Sequence, residues 1–256
     1  MAAQAQEEVV QEIVEDQELT ARNQGQMGVM VERILDQVEV VHQETQARKE
    51  VLVDQVLSSL NTNIKITDCL VIDNFYSPKE QEDIWEELDY HLDSFYLDKE
   101  GCAQDGNLPL ANLSRIYLDD IYRNNRNDSN ILAHYSKILS KRNLEKYAEI
   151  TPSGRTLEVT NIDWSQVSYY EDGNNYAEHF DQFMHSCLIW FFREPKKFTG
   201  GDLTFTETGE VVPCKHNRML LFPSYLMHKV DTVNMVEKDL GQGLGRYCLT
   251  HFFSRK

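Results

Sequence analysis

Tyr170-Glu-Asp-Gly-Asn-Asn-Tyr176-Ala-Glu-His179-Phe180-Asp181 ends in a histidine and an aspartate two residues apart. In extended chain alternate side chains share a face, so the imidazole of His179 and the carboxylate of Asp181 point the same way. They form a ligand pair that needs a third member. His228, at the head of a second stretch that runs to Phe253, can supply it. Two imidazoles and one carboxylate gathered on one face of a metal leave the opposite face open. That donor set suits an Fe(II) that must bind a cosubstrate and O2 together.

Around this pair, from Ile162 onward, the chain reads as strands: Trp164 to Tyr170, Ser186 to Phe192, Gly201 to Thr206, Arg218 to Phe222 and Arg246 to Phe253. Asp172-Gly173-Asn174, Gly200-Gly201, Thr208-Gly209 and Gly241-Gln242-Gly243 mark the turns between them. Short strands punctuated in this way predict a sandwich or small barrel rather than βαβ units, and a jelly roll with its mouth open to a site fits best. The expected fold is α+β, a double-stranded β-helix (jelly-roll) core with flanking helices and an N-terminal helical extension.

Upstream, Cys69-Leu70-Val71-Ile72 reads as a buried strand. Ser77-Pro78-Lys79-Glu80 is a capping box with proline at the first helical position, and Ile84, Trp85 and Leu88 give the following helix, expected to about Leu92, its apolar face. Residues 98–130 are polar, with one strand-like piece at Ser114 to Leu118, and resemble a loop that rims a substrate site. Ile131, Leu132, Tyr135, Ile138 and Leu139 predict one more amphipathic helix ending near Asn143 or Tyr147. His134 beside that face reads as packed or solvated.

Residues 1–62 differ in character, an acidic helical or partly disordered extension before a domain at 63–256. The first sixty contain no proline and no aromatic residue, and hold twelve Asp and Glu against four Lys and Arg. Met27, Val31, Ile34, Val38 and Val41 keep a 4-3-4-3 spacing, interrupted at Thr45 and Arg48 and resumed at Leu52, Val56 and Leu60. Such a seam fits either a solvated helix or a coiled coil that would make a homo-oligomer through residues 27–60.

The chain has 256 residues and a formal charge of −17, which repels phosphate backbones, so nucleic acid is not an expected partner. Five scattered cysteines without a CxxC pair read as reduced thiols. No apolar run reaches membrane-spanning length, and the first residues lack the basic and apolar regions of a leader; no membrane partner and a cytoplasmic location are the expectations.

Several ordered segments together resemble a known family, the 2-oxoglutarate and Fe(II)-dependent dioxygenases, in particular their prolyl 4-hydroxylase-like branch. Tyr170 to Asp181 is similar to the family's Tyr-x-x-Gly-x-x-Tyr-x-x-His-x-Asp segment. Phe198-Thr-Gly200-Gly201-Asp202-Leu-Thr-Phe205 is similar to its glycine hairpin, Leu221-Phe222-Pro223-Ser224 with His228-Lys-Val230 to its distal ligand strand, and Arg246 to Phe253 to its last core strand. The resemblance runs from about Cys69 to Phe253.

It implies that His179, Asp181 and His228 are the iron ligands and that Arg246 clamps the far carboxylate of 2-oxoglutarate, where a guanidinium can make two charge-assisted hydrogen bonds. Tyr176 and Tyr170 are candidates for a hydroxyl donor to the same carboxylate, although each also fits core packing. The implied reaction hydroxylates an unactivated C–H bond with O2 and releases succinate and CO2, with ascorbate as a candidate reductant. Peptidyl proline and a free amino acid or other small molecule both fit as substrate.

Arg246 stands eighteen positions after His228, farther than the family's usual spacing, whereas Lys238 stands ten after it, where lysine-using members carry theirs. Arg246 is preferred because it opens an apolar strand, while Lys238 lies among Glu237, Asp239 and Gly241. His185, His216 and His251 are expected outside the iron shell. Two other readings stand beside the oxygenase: a catalytically inert jelly-roll metal-binding or interaction module, and a zinc hydrolase on the same three ligands, for which no general base is well placed.

Overall fold

The computed structural model of the protein describes residues 66–98, 102–106 and 108–256. The extension at residues 1–62 and its Met27 to Val41 seam lie outside the described residues.

A short strand, β1 (Leu70–Ile72), leads to helix α1 (Pro78–Tyr90). Ser77 starts α1 as its sequence dictates. Its hydroxyl accepts from the Glu80 amide, and its own amide donates to the Glu80 carboxylate at 2.7 Å, so two orphan donors of the first turn are satisfied reciprocally. Ile84 and Leu88, four residues apart, bury the inner stripe of the helix. The polar region then carries β2 (Tyr96–Leu97), β3 (Gln104–Asp105), β4 (Leu108–Pro109), β5 (Ala111–Asn112) and β6 (Ser114–Tyr117).

Three short helices follow: α2 (Leu118–Ile121), α3 (Asn130–His134) and α4 (Lys141–Ile150). The single helix expected from Ile131 is thus divided. A 3-10 turn over Tyr135–Lys137 ends α3, and Ser140 adopts an extended ψ of 144° before α4. The Asn143 side chain donates to the Lys137 carbonyl at 3.0 Å and satisfies the backbone at the break, an alternative to the helical ladder that the apolar periodicity alone does not reveal.

From Ile162 the chain is almost entirely strand: β7 (Ile162–Tyr170), β8 (Asn175–His179), β9 (His185–Phe191), β10 (Phe198–Thr199) and β11 (Leu203–Phe205). It continues with β12 (Glu210–Val212), β13 (Arg218–Pro223), β14 (His228–Val230), β15 (Asn234–Met235) and β16 (Arg246–Ser254). A seven-stranded sheet runs β1-β13-β9-β16-β7-β6-β2, and a five-stranded sheet runs β12-β11-β14-β8-β5. Together they make the double-stranded β-helix.

Strand alternation assigns the core. On β16, Tyr247, Leu249 and Phe253 join Ile84, Leu88 and Ile131 in the cluster that holds the helices to the large sheet. Cys248 belongs to the other cluster, with Trp190, Leu203, Leu220 and Phe222 between the sheets. The central strands are buried on both faces, so β9 is apolar without alternation from Cys187 to Phe191.

Candidate metal centre and cosubstrate cavity

β8 and β14 are antiparallel neighbours in the smaller sheet, and their register sets His228 directly opposite His179. β8 ends at His179. Asp181 therefore lies just beyond the strand rather than within it, but the alternation persists: Phe180 turns outward, 53% exposed, and Asp181 turns back. Its amide donates to the Ser224 carbonyl at 3.0 Å, which fixes the turn. His179 Nε2 is 3.6 Å from Asp181 Oδ1, and His228 Nε2 is 3.8 Å from Oδ2. The three ligand atoms lie within 4.8 Å of one another, the one such cluster of three among the described residues.

Each imidazole is oriented by its backbone. His179 Nδ1–H donates to the Ala177 carbonyl and His228 Nδ1–H to the Leu226 carbonyl, both at 2.8 Å, which leaves each Nε2 lone pair facing the centre. Burial, reinforced by the neighbouring His228, lowers the His179 pKa to about 4, so its imidazole is neutral near pH 7. The Tyr176 ring stacks on His179 with centroids 3.6 Å apart and planes 11° from parallel. Ser186 Oγ donates to Asp181 Oδ2 at 2.5 Å and lies 2.8 Å from Ser224 Oγ. Ser186 does not stand out in the sequence: no local spacing marks it, and only the pairing of β9 with β13 brings it beside Ser224.

Arg246 opens β16 opposite Tyr170 of β7 and lines the same cavity as the three ligands. It is fully buried, and none of its three guanidinium nitrogens has a hydrogen-bond partner. It rests instead on ring faces, with its Cζ 4.5 Å from the Tyr170 centroid and 5.7 Å from that of Trp190. Gly201, at φ +74°, passes so close that a Cβ there would lie 2.8 Å from Arg246 Cδ. The glycine hairpin makes room for the guanidinium.

Tyr176 and Tyr170 both line this cavity. The Tyr176 hydroxyl accepts from the Ala103 amide at 2.8 Å, while Tyr170 offers its ring to Arg246. Lys238 is exposed in a 3-10 turn, Glu237–Asp239, outside the cavity lining. His185 sits between Tyr147 and Thr156, His216 bonds Gln81, and His251 bonds Ser165 on the far face of β16. His134 pairs with Asp83 at 3.2 Å. All four stand outside the ligand cluster. Toward solvent the cavity adjoins a vestibule of about 300 Å³ whose walls include Trp164, Phe180, Phe183 and Phe252. Arg115, Gln166, Tyr176, Asp181 and Phe252 line both spaces.

The residues fit a divalent metal with 2-oxoglutarate. Three donors converge, and a buried cation without a counter-charge in the same cavity suits a carboxylate. Residues 165–254 match a family described as the 2OG-Fe(II) oxygenase superfamily. No curated protein matches the chain. Among solved structures it is similar to a prolyl-4-hydroxylase of Pseudomonas putida at 15% identity, covering 78% of this chain and 99% of that one with a TM-score of 0.49. A prolyl hydroxylase of Trichoplax adhaerens, in complex with a hypoxia inducible factor peptide fragment, is similar at 15% identity, with 82% and 92% covered and a TM-score of 0.44. A viral collagen prolyl hydroxylase of Paramecium bursaria chlorella virus 1 gives 15%, 73%, 95% and 0.42.

Proposed function

We propose that the chain is a 2OG-Fe(II) oxygenase, a reading that the match of residues 165–254 supports, and that it hydroxylates an unactivated C–H bond of a peptidyl proline or of a free amino acid. The buried, unpartnered Arg246 in the cavity of His179, Asp181 and His228 carries this reading. An inert module would have no use for an uncompensated guanidinium there, and a zinc hydrolase would need a base rather than a second anion site.

His179, Asp181 and His228 would hold Fe(II), and Arg246 would hold the far carboxylate of 2-oxoglutarate, with two parallel hydrogen bonds available from its fork. Bound iron and 2-oxoglutarate supply the oxidising chemistry: 2-oxoglutarate, O2 and R–H become succinate, CO2 and R–OH. The protein's own part is positional. Ala177 and Leu226 fix the imidazole tautomers, Ser186 holds one carboxylate oxygen of Asp181, and Tyr176 covers His179. The buried strand core keeps water from the reacting centre.

The test is aerobic incubation of the full chain with Fe(II), 2-oxoglutarate and ascorbate, with succinate followed over time. Slow succinate formation is expected without substrate, and acceleration with a proline-containing peptide pool or an amino-acid pool. No succinate under any of these conditions would leave the inert module as the better reading.

A further inference from the structure

A second buried arginine faces the site, and its surroundings differ from those of Arg246. Arg115 on β6 is paired with Ser168 on β7, which is paired with Cys248 on β16. It therefore stands one two-residue step, roughly 7 Å, from the row of Tyr170 and Arg246 along the inner face of the large sheet. Only 2% of it is exposed, yet it lines both the inner cavity and the vestibule. Its Nη1 lies 3.3 Å from Asp98 Oδ2 and 3.4 Å from the Tyr117 hydroxyl, which itself donates to the same Asp98 oxygen at 2.5 Å.

The two guanidinium groups thus differ in charge balance. Arg246 has no carboxylate beside it and suits an anion. Arg115 is already compensated by Asp98, so a carboxylate brought to it would meet a like charge in a buried space, whereas a carbonyl oxygen brings only a dipole. Of the described residues that line the vestibule, Arg115 is the one cation and Asp181 the one anion. Apart from Cys102 and Ala103, the remaining wall is aromatic, including Phe183 and Phe252 stacked 4.5 Å apart, or amide, from Gln166 and Gln182. Rings and amides fit an apolar side chain flanked by neutral backbone.

We propose that Arg115, held by Asp98 and Tyr117, is the specificity-determining residue of the vestibule: it takes an amide carbonyl oxygen of the substrate and disfavours a free carboxylate at that position. The proposal rests on the oxygenase reading for which space is substrate and which is cosubstrate. Within that reading it selects a peptide-like amide over a free amino acid.

Calorimetric titration of the full chain loaded with Mn(II) and 2-oxoglutarate tests it, with N-acetyl-L-proline N-methylamide against N-acetyl-L-proline and the matching leucine pair. The amides are expected to bind at least about tenfold more tightly than the acids. Asp98→Asn removes the compensating charge and is expected to shift that ratio toward the acids by about tenfold or more. Arg115→Gln with Asp98→Asn, a neutral pair that leaves no buried charge alone, is expected to weaken amide binding without gaining acid binding, and serves if Asp98→Asn fails to fold. Acids binding as tightly as amides, a ratio unmoved by Asp98→Asn, amide binding unchanged in the double variant, or no binding by any of the four ligands would each overturn the assignment. Absence of succinate formation would strike the oxygenase reading instead, since these titrations involve no turnover.

Discussion

Leaving a guanidinium buried without a counter-charge is costly, and Arg246 is the side chain on which the cosubstrate reading depends. A hydrogen bond to a charged group contributes roughly 1.5–3 kcal/mol, so Arg246→Ala is expected to raise the 2-oxoglutarate concentration needed for half-maximal succinate formation at least about tenfold while Fe(II) still binds. Lys238→Ala, in an exposed turn, should leave that curve in place; the opposite pattern would transfer the clamp to Lys238. Gly201→Ala puts a Cβ 2.8 Å from Arg246 Cδ at a positive φ, and is expected to lower stability by about 1–3 kcal/mol and to weaken 2-oxoglutarate use. Unchanged unfolding and an unchanged 2-oxoglutarate curve would show that the hairpin gives way freely. The candidate ligand cluster was legible in the sequence because the shared face of His179 and Asp181 is a property of local chain geometry. Arg115 and Ser186 were not, because what each faces is set by pairing with strands far away in the chain.

At the level of elements, alternation and turn chemistry made the strands readable: each of the five expected after Ile162 is present within two residues at either end. The divided helix at residues 130–150 was hidden because apolar periodicity continues across the break, while the Asn143 bond that stabilises the break is a side-chain detail. β9 starts at His185, whose ring is buried between Tyr147 and Thr156, and burial lowers its pKa to about 4 from 6.5. With the folded value below the unfolded one, its stabilising contribution is complete above about pH 6.5 and is lost as the pH falls through 4, on the order of 2–3 kcal/mol across that window. His251, lowered to about 3, acts in the same direction. Urea midpoints should therefore fall between pH 7 and pH 4.5, and His185→Gln, which does not titrate, should flatten part of the slope. An unaltered slope would mean that His185 takes up its proton as readily in the folded state as in the unfolded one.

For the whole molecule, the jelly roll brings together at one mouth residues from β6, β7, β8, β14 and β16, elements spread over residues 114–254 of the chain. Every residue of the proposed site lies between Arg115 and Phe252. Deleting residues 1–62 is accordingly expected to leave succinate formation within about twofold, and light scattering on the two forms would show a lower mass if the Met27 to Val41 seam holds a coiled coil. Loss of turnover in the shortened form would mean that the extension completes the site. The most direct test of the metal assignment is iron content and succinate formation measured together on the unaltered protein and on His179→Ala, Asp181→Asn and His228→Ala. One Fe(II) per chain with succinate formed in the unaltered protein, and both lost in all three variants, is the expected result; iron retained with turnover in any one variant would contradict it.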